Sequence, residues 1–189
     1  MSNLYLGLVH FPIKNKQGVE VATSVTNLDI HDIARSSRTF GFSNYFIITP
    51  IKMQQQLVQR ILDHWNTDVA NQYNPDRQSA LEFIRLQDSI EQSVQRIKEI
   101  EGCEPLVCVT GANFKAYDGD VSVLAERLKL DKRPLFLLFG TGWGLSASVV
   151  DAAHFKLEPI FGKSSDGYNH LSVRSAVAIY CDRLTSKLV

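Results

Sequence analysis

Phe139-Gly140-Thr141-Gly142-Trp143-Gly144-Leu145 comes directly after an apolar run, Pro134-Leu135-Phe136-Leu137-Leu138-Phe139. Such a run predicts a strand buried on both faces. The three glycines alternating behind it let the backbone turn sharply, allow positive φ and put no Cβ in the way of a ligand. The loop amides are then free to meet something flat or anionic. Trp143 sits inside the glycine run, where a turn alone has no need of it. The same stretch also reads as a plain glycine-rich corner between a strand and a helix.

The neighbouring chain repeats the strand-then-helix alternation. Leu106 to Val109 predicts another buried strand, followed by Thr110-Gly111-Ala112-Asn113 and by a helix carrying Val121, Leu124, Ala125 and Leu128 inward. After the glycine loop a short helix from Leu145 leads to Leu157-Glu158-Pro159-Ile160 and a loop from Phe161 to Tyr168. The closing helix places Val173, Ala176, Val177, Tyr180, Cys181, Leu184 and Leu188 on one face.

Towards the N-terminus, residues 4–10 predict a first strand and Lys14 to Gly18 a turn. Thr23 to Asn27 supplies N-caps for a helix through Phe40, with Gly41 placed to end it. On that helix Asn27, His31, Arg35 and Arg38 share one stripe of hydrogen-bonding side chains. Residues 44–49 predict a strand stopped by Pro50, then a helix with Leu57, Ile61 and Trp65 inward, a loop over 66–76, and a short strand over Phe83 to Leu86. Ser89-x-x-Gln92 is a capping-box pattern for a helix with Ile90, Val94 and Ile97 inward and Gly102 as its stop. Short buried strands alternating with amphipathic helices predict an α/β fold, a parallel sheet flanked by helices on both faces. With no internal repeat and no linker, residues 1–189 read as a single domain.

Composition narrows the function classes. The chain has 189 residues, 20 Lys and Arg against 20 Asp and Glu, and a formal net charge of zero. A broad basic face for non-specific nucleic-acid binding needs an excess of cations, although a local cluster is compatible with neutrality. The three cysteines, Cys103, Cys108 and Cys181, include no C-x-x-C pair, and no metal spacing joins them to the histidines. No metal is expected. Leu4 to Val9 is too short to span a bilayer and lacks a basic leader, so the expectation is a soluble, cytoplasmic protein with no membrane partner.

Familiar nucleotide motifs fail. Gly162-Lys163-Ser164 ends like a P-loop, but Leu157 occupies the position of the first required glycine. A dinucleotide fingerprint needs its third glycine one position later than Gly144, and an acid at the end of a following strand. That argues against a nicotinamide oxidoreductase. No G-x-S-x-G elbow is present, and Cys108 lies mid-strand with no evident histidine partner. Three loops at late strand ends remain: Thr110-Gly111-Ala112, Gly140 to Gly144, and Pro159 to Ser172. The carboxyl ends of parallel strands are where open sheets bind ligands.

Two further segments give this pattern a family. Asn27-Leu-Asp-Ile-His-Asp-Ile-Ala-Arg-Ser-Ser-Arg-Thr-Phe-Gly41 lies early. Pro159-Ile160-Phe161-Gly162 followed by Tyr168-Asn169-His170-Leu171-Ser172-Val173-Arg174-Ser175-Ala176-Val177-Ala178-Ile179 lies late. With the glycine loop between them, the chain resembles the SPOUT RNA methyltransferases, in particular their stand-alone branch. The resemblance implies a deep C-terminal trefoil knot, and S-adenosyl-L-methionine bound in it mostly by main-chain groups. It places Thr110, Gly111, Gly140, Gly142, Trp143, Gly144, Ile160, Asn169, His170, Leu171 and Ser172 around that cofactor. Arg35 matches the family's catalytic arginine. Asn27, His31 and Arg38 would then face the RNA or a subunit contact. Asp29 stands where ribose methylases of the family carry asparagine.

The resemblance also implies a homodimer acting on a structured RNA, tRNA or rRNA, by displacement at the methyl carbon. For a ribose acceptor, a phosphate held by Arg35 could take the proton; for a base nitrogen, Asp166 is the candidate. A non-catalytic module that keeps the fold and binds the cofactor or RNA is the rival class.

Overall fold

Leu4, Leu6 and Leu8 line one face of the first strand and Tyr5 and Val9 the other, and all five are buried. Double-sided burial is the mark of a central parallel strand. The computed structural model describes residues 3–67, 72 and 74–188. In chain order these form β1 (Leu4–Val9), β2 (Ile13–Lys14), β3 (Glu20–Val21), α1 (Asn27–Thr39), β4 (Asn44–Ile48), α2 (Lys52–Trp65), α3 (Pro75–Leu81), β5 (Ile84–Gln87), α4 (Ile90–Glu101), β6 (Leu106–Val109), α5 (Val121–Leu130), β7 (Leu135–Gly140), α6 (Ala147–Ala152), β8 (Phe155–Lys156) and α7 (Val173–Leu188).

Six strands make one parallel sheet in the order β5-β4-β1-β7-β6-β8. One face packs against α1, α2, α3, α5 and α7 through Ile33, Val58, Leu81, Leu124 and Val177. The other packs against α4 and α6 through Ile97, Val149 and Val150. Each Leu or Phe fully buried in these two layers contributes about 1.5–3 kcal/mol.

The helices start where their caps put them. The Thr26 hydroxyl accepts from the Asp29 amide at 3.2 Å, Ser89 from Gln92 at 3.3 Å, and Asp120 from Ser122 and Val123 at 2.9 Å. Each cap is worth about 1 kcal/mol. Gly102 ends α4 at φ 74°, a left-handed stop. The reciprocal half of the capping box is shifted by one residue, because the Gln92 side chain accepts from the Asp88 amide.

Several expectations are corrected. Leu57 is half-exposed; Val58 is buried in its place, with Ile61, Leu62 and Trp65 packed partly inward, so the apolar face of α2 runs i, i+3, i+4, i+7 from Val58. The expected loop over 66–76 ends early, since Pro75 is the first residue of α3 and Asn74 caps it; positions 68–71 and 73 lie outside the described residues. Two short features were not expected at all: the β2–β3 ribbon, and β8 at the sheet edge.

Where the connections go matters for the site. From β1 the chain moves towards β4, whereas from β7 it moves across β6 to β8. The carboxyl ends of adjacent β1 and β7 therefore sit at a switch point, where α/β sheets open a crevice. The segment after β6 also returns along the outer side of β8. Asp118 N donates to Lys156 O at 2.8 Å, Glu158 N to Gly119 O at 2.9 Å, and Gly119 bridges Leu157 in parallel. The β8 segment is thus held between β6 and residues 118–119.

Candidate functional site

The glycine loop leaves the carboxyl end of β7 beside the ends of β1 and β6. At Gly140 an added Cβ would lie 2.6 Å from the Leu145 nitrogen, so the loop's own return requires glycine. Gly142 and Gly144 have φ of 56° and 97°, the left-handed region open to glycine. The arm formed by residues 12–23 backs the loop. Lys14 N donates to Gly144 O at 3.0 Å, Ser146 N to Pro12 O at 3.3 Å, and Ile13 bridges Leu145. A Cβ at Gly142 would meet the Thr23 methyl at 3.3 Å.

Thr141 fixes the loop from inside. Its hydroxyl donates to Val9 O at 3.0 Å and is hydrogen-bonded to the Thr23 hydroxyl. Thr23 in turn bonds the His10 Nδ1 at 3.1 Å. His10 is buried, its Nε2 has no partner among the described residues, and burial, opposed by Asp29, lowers its pKa to about 4. It is therefore a neutral ring at physiological pH.

The free edge of the loop is main chain. The Gly142 and Trp143 amides make no hydrogen bond among the described residues, and Trp143 is 54% exposed. The loop thus turns its side-chain-less directions to the protein and leaves these two amides without a partner among the described residues. An adenosyl group, with polar atoms around a flat ring and a diol, fits such an edge.

Next door, Thr110 is buried. Its amide and hydroxyl both donate to Leu138 O, at 3.0 and 2.9 Å, which ties the ends of β6 and β7. Gly111 leaves room for the Phe114 ring, whose nearest carbon would sit 2.6 Å from an added Cβ. Residues 160–169 form a loop stapled by Asn169: its Nδ2 donates to Ile160 O and its Oδ1 accepts from Gly162 N, each at 3.0 Å. The amide of Asn169 is thereby committed to the loop. Ser172 opens α7, its hydroxyl accepting from the Ser175 amide at 3.2 Å. His170 and Leu171 are exposed. Asp166 sits at the exposed loop tip, accepting from the Ser164 hydroxyl and the Tyr168 amide. Those bonds, the Ser164 one foremost, lower its pKa and keep it ionised.

The α1 stripe forms as the sequence implied. Asn27, Arg35 and Arg38 are exposed and His31 is half-buried. Arg35 lines a shallow depression of about 300 Å³ with Asp32, Ser36, Thr39 and Phe40. The His31 ring meets the Trp65 ring edge-on at 5.7 Å. Its pKa is lowered by burial first, then by Arg77, with Arg35 adding to the effect against Asp32. Cys108 and Cys181 are buried thiols whose pKa burial raises, as expected of inert core residues.

Asp29 and Arg174 form a pair that sequence reasoning missed. Asp29 is buried and accepts from Arg174 Nη1 at 2.8 Å and from the Thr26 hydroxyl at 2.6 Å. Arg174 also approaches Asp32 at 3.5 Å. The pair joins the start of α1 to the start of α7, across 145 positions. A cation in the first turn of a helix opposes the helix dipole, and that was the available signal.

Comparison with known proteins adds an independent finding. A family model described as SAM-dependent RNA methyltransferase matches residues 3–186. A tRNA (guanine-N(1)-)-methyltransferase of Oleidesulfovibrio alaskensis is 44% identical over 182 residues, 96% of this chain but 42% of that protein. The chain therefore spans about two fifths of that relative. An uncharacterized protein of Aquifex aeolicus is 34% identical over 185 residues, covering 98% of this chain and 89% of its own. Among solved structures, a probable methyltransferase from Bordetella pertussis aligns with TM-score 0.63 at 16% identity, over 100% of this chain and 97% of that one. The SpoU methyltransferase AviRb from Streptomyces viridochromogenes, in complex with AdoMet, aligns with TM-score 0.56 at 15% identity, over 98% and 57%. At these identities the structural likenesses establish the fold.

Proposed function

The chain belongs to the SAM-dependent RNA methyltransferase family, and on that premise we propose that it transfers a methyl group to a nucleotide of a structured RNA, tRNA or rRNA. The observation that carries the reading is the amide edge of Gly142 and Trp143, unpaired among the described residues and held at the carboxyl end of β7 beside β6. S-adenosylmethionine supplies a methyl carbon already activated by its sulfonium. The protein's part is to hold, align and deprotonate.

Gly140, Gly142, Trp143 and Gly144 would hold the adenosyl group by main chain, with Thr110 and Gly111 on the adjacent strand end. Ile160 and residues 169–172 would close the site, Asn169 acting by keeping its loop in shape. Arg35, exposed and without a carboxylate partner among the described residues, would grip a phosphate by its planar fork. Asn27, His31 and Arg38 would face the RNA beside it. An acceptor proton goes to that phosphate for a ribose hydroxyl, or to Asp166, ionised and solvent-facing, for a base nitrogen.

The reading includes a trefoil knot and a homodimer. The knot is supported by the confinement of the β8 segment between β6 and residues 118–119, since the chain beyond β8 must leave past the loop that encloses it. The dimer is supported by the exposed aromatic side chains of the loop before α7, Phe161 at 61% and Tyr168 at 66%, which a second copy could cover.

The guanine-N1 activity named for the Oleidesulfovibrio relative belongs to a protein more than twice as long as its match to this chain, so the acceptor atom here is left to experiment. Incubating the protein with tritiated S-adenosylmethionine and undermodified total RNA should label tRNA or rRNA. Cofactor binding without label in any RNA would instead identify a binding module.

A further inference from the structure

Net neutrality poses a question for an RNA enzyme: which surface meets the phosphates. Seven of the 20 lysines and arginines are spent on neighbouring carboxylates. Lys52, Arg96, Lys98, Lys129, Arg133, Lys156 and Arg174 each sit on a carboxylate. Arg35, Arg38 and Arg77 are among the cations whose side chains have no carboxylate partner and no hydrogen bond among the described residues.

Two of these three are instead held over aromatic rings. Arg77 lies 5.0 Å from the centre of the Trp65 ring, and Arg38 lies 5.4 Å from that of Phe83. Trp65 ends α2, Arg77 belongs to α3 and Phe83 follows it, while Arg35 and Arg38 stand on α1, which packs along α3. His31 links the two halves, with its ring on Trp65. Asp32, the acid nearest on α1, is turned to Arg174 at 3.5 Å. Asp76 and Glu82, at the two ends of α3, make no side-chain bond to the three arginines. A guanidinium over an aromatic face is attracted by the ring and keeps N–H donors for an anion. A group of guanidinium ions without carboxylate partners among the described residues, two of them over aromatic rings, has the chemistry of a phosphodiester track.

We infer that Arg38 on Phe83 and Arg77 on Trp65 form, with Arg35, a backbone-binding track for RNA running from α1 across α3. The track rests on the RNA reading above and extends it from the α1 stripe to Arg77 on α3 and to the Trp65 and Phe83 rings. It positions the substrate strand without reading its sequence.

The test is fluorescence anisotropy with end-labelled bulk tRNA, titrated at several salt concentrations with the full chain. Wild type should bind with a negative log–log salt slope. Arg38→Gln plus Arg77→Gln should weaken binding and reduce that slope by about 0.9 for each phosphate contact removed. Arg77→Lys should keep the slope, because the charge remains. Arg96→Gln and Lys129→Gln, distant paired cations, should behave as wild type. Titration with S-adenosylhomocysteine should give the same affinity in every variant, showing the fold intact; if the double variant loses it, the exposed Arg38→Gln carries the comparison alone.

Unchanged affinity and slope in the double variant, with wild type binding tRNA, would overturn the track alone. Absence of tRNA binding by wild type would overturn both the track and the RNA reading.

Discussion

The proposed chemistry turns on Arg35, exposed on α1 with no carboxylate partner among the described residues. Arg35→Ala should lower methyl transfer to RNA by about 10²–10³-fold, the usual cost of losing one electrostatic donor at a reacting centre, while S-adenosylhomocysteine affinity stays unchanged. Equal labelling by the variant and wild type would remove Arg35 from the mechanism. His10 offers a pH test. Its folded pKa near 4 lies below the unfolded value of about 6.5, so below the latter the unfolded chain binds the extra proton. Stability is full above about pH 6.5, falls as pH drops towards 4, and the loss is on the order of 3 kcal/mol. Urea unfolding at pH 7 and pH 4.5 should show this slope in wild type and a shallower one in His10→Asn. The Arg35 stripe was legible because helical spacing alone sets it. The environment of His10 was not, because it depends on Thr23 and Thr141, which only the folded sheet brings to it.

At the scale of elements, the glycine loop was readable as a corner at a strand end, and the structure divides its glycines by role. Gly140 serves the loop's own turn and Gly142 and Gly144 its left-handed steps; the free amides lie between. Gly140→Ala, with its Cβ 2.6 Å from the Leu145 nitrogen, must displace the loop. It should weaken S-adenosylhomocysteine binding at least tenfold by calorimetry while the chain still folds. The Asp29–Arg174 pair joins α1 to α7, so Arg174→Ala strands a buried carboxylate and should cost about 3 kcal/mol in urea unfolding. A loss below about 0.5 kcal/mol would mean that water replaces the arginine. The long periodic helices were legible from their caps and apolar faces. The β2–β3 ribbon and β8, two residues per strand, carry too few positions for an alternation to show. From sequence alone Pro75 reads as part of a loop, because proline punctuates both loops and first helical turns.

For the whole molecule, the alternating pattern announced a parallel α/β sheet but not its strand order, since periodicity records which face a residue lies on and not which strand lies beside it. The enclosure of β8 by residues 118–119 has the same origin: it joins segments that no local pattern relates. The proposed dimer should appear in sedimentation velocity as a single species of twice the chain mass at micromolar concentration, and a monomer there would require one chain to complete the RNA site by itself. The most direct test of the central claim is calorimetric titration of the wild-type chain with S-adenosylhomocysteine. The account expects one saturable site per chain, weakened by Gly140→Ala and indifferent to Arg35→Ala. No binding at millimolar ligand would contradict it.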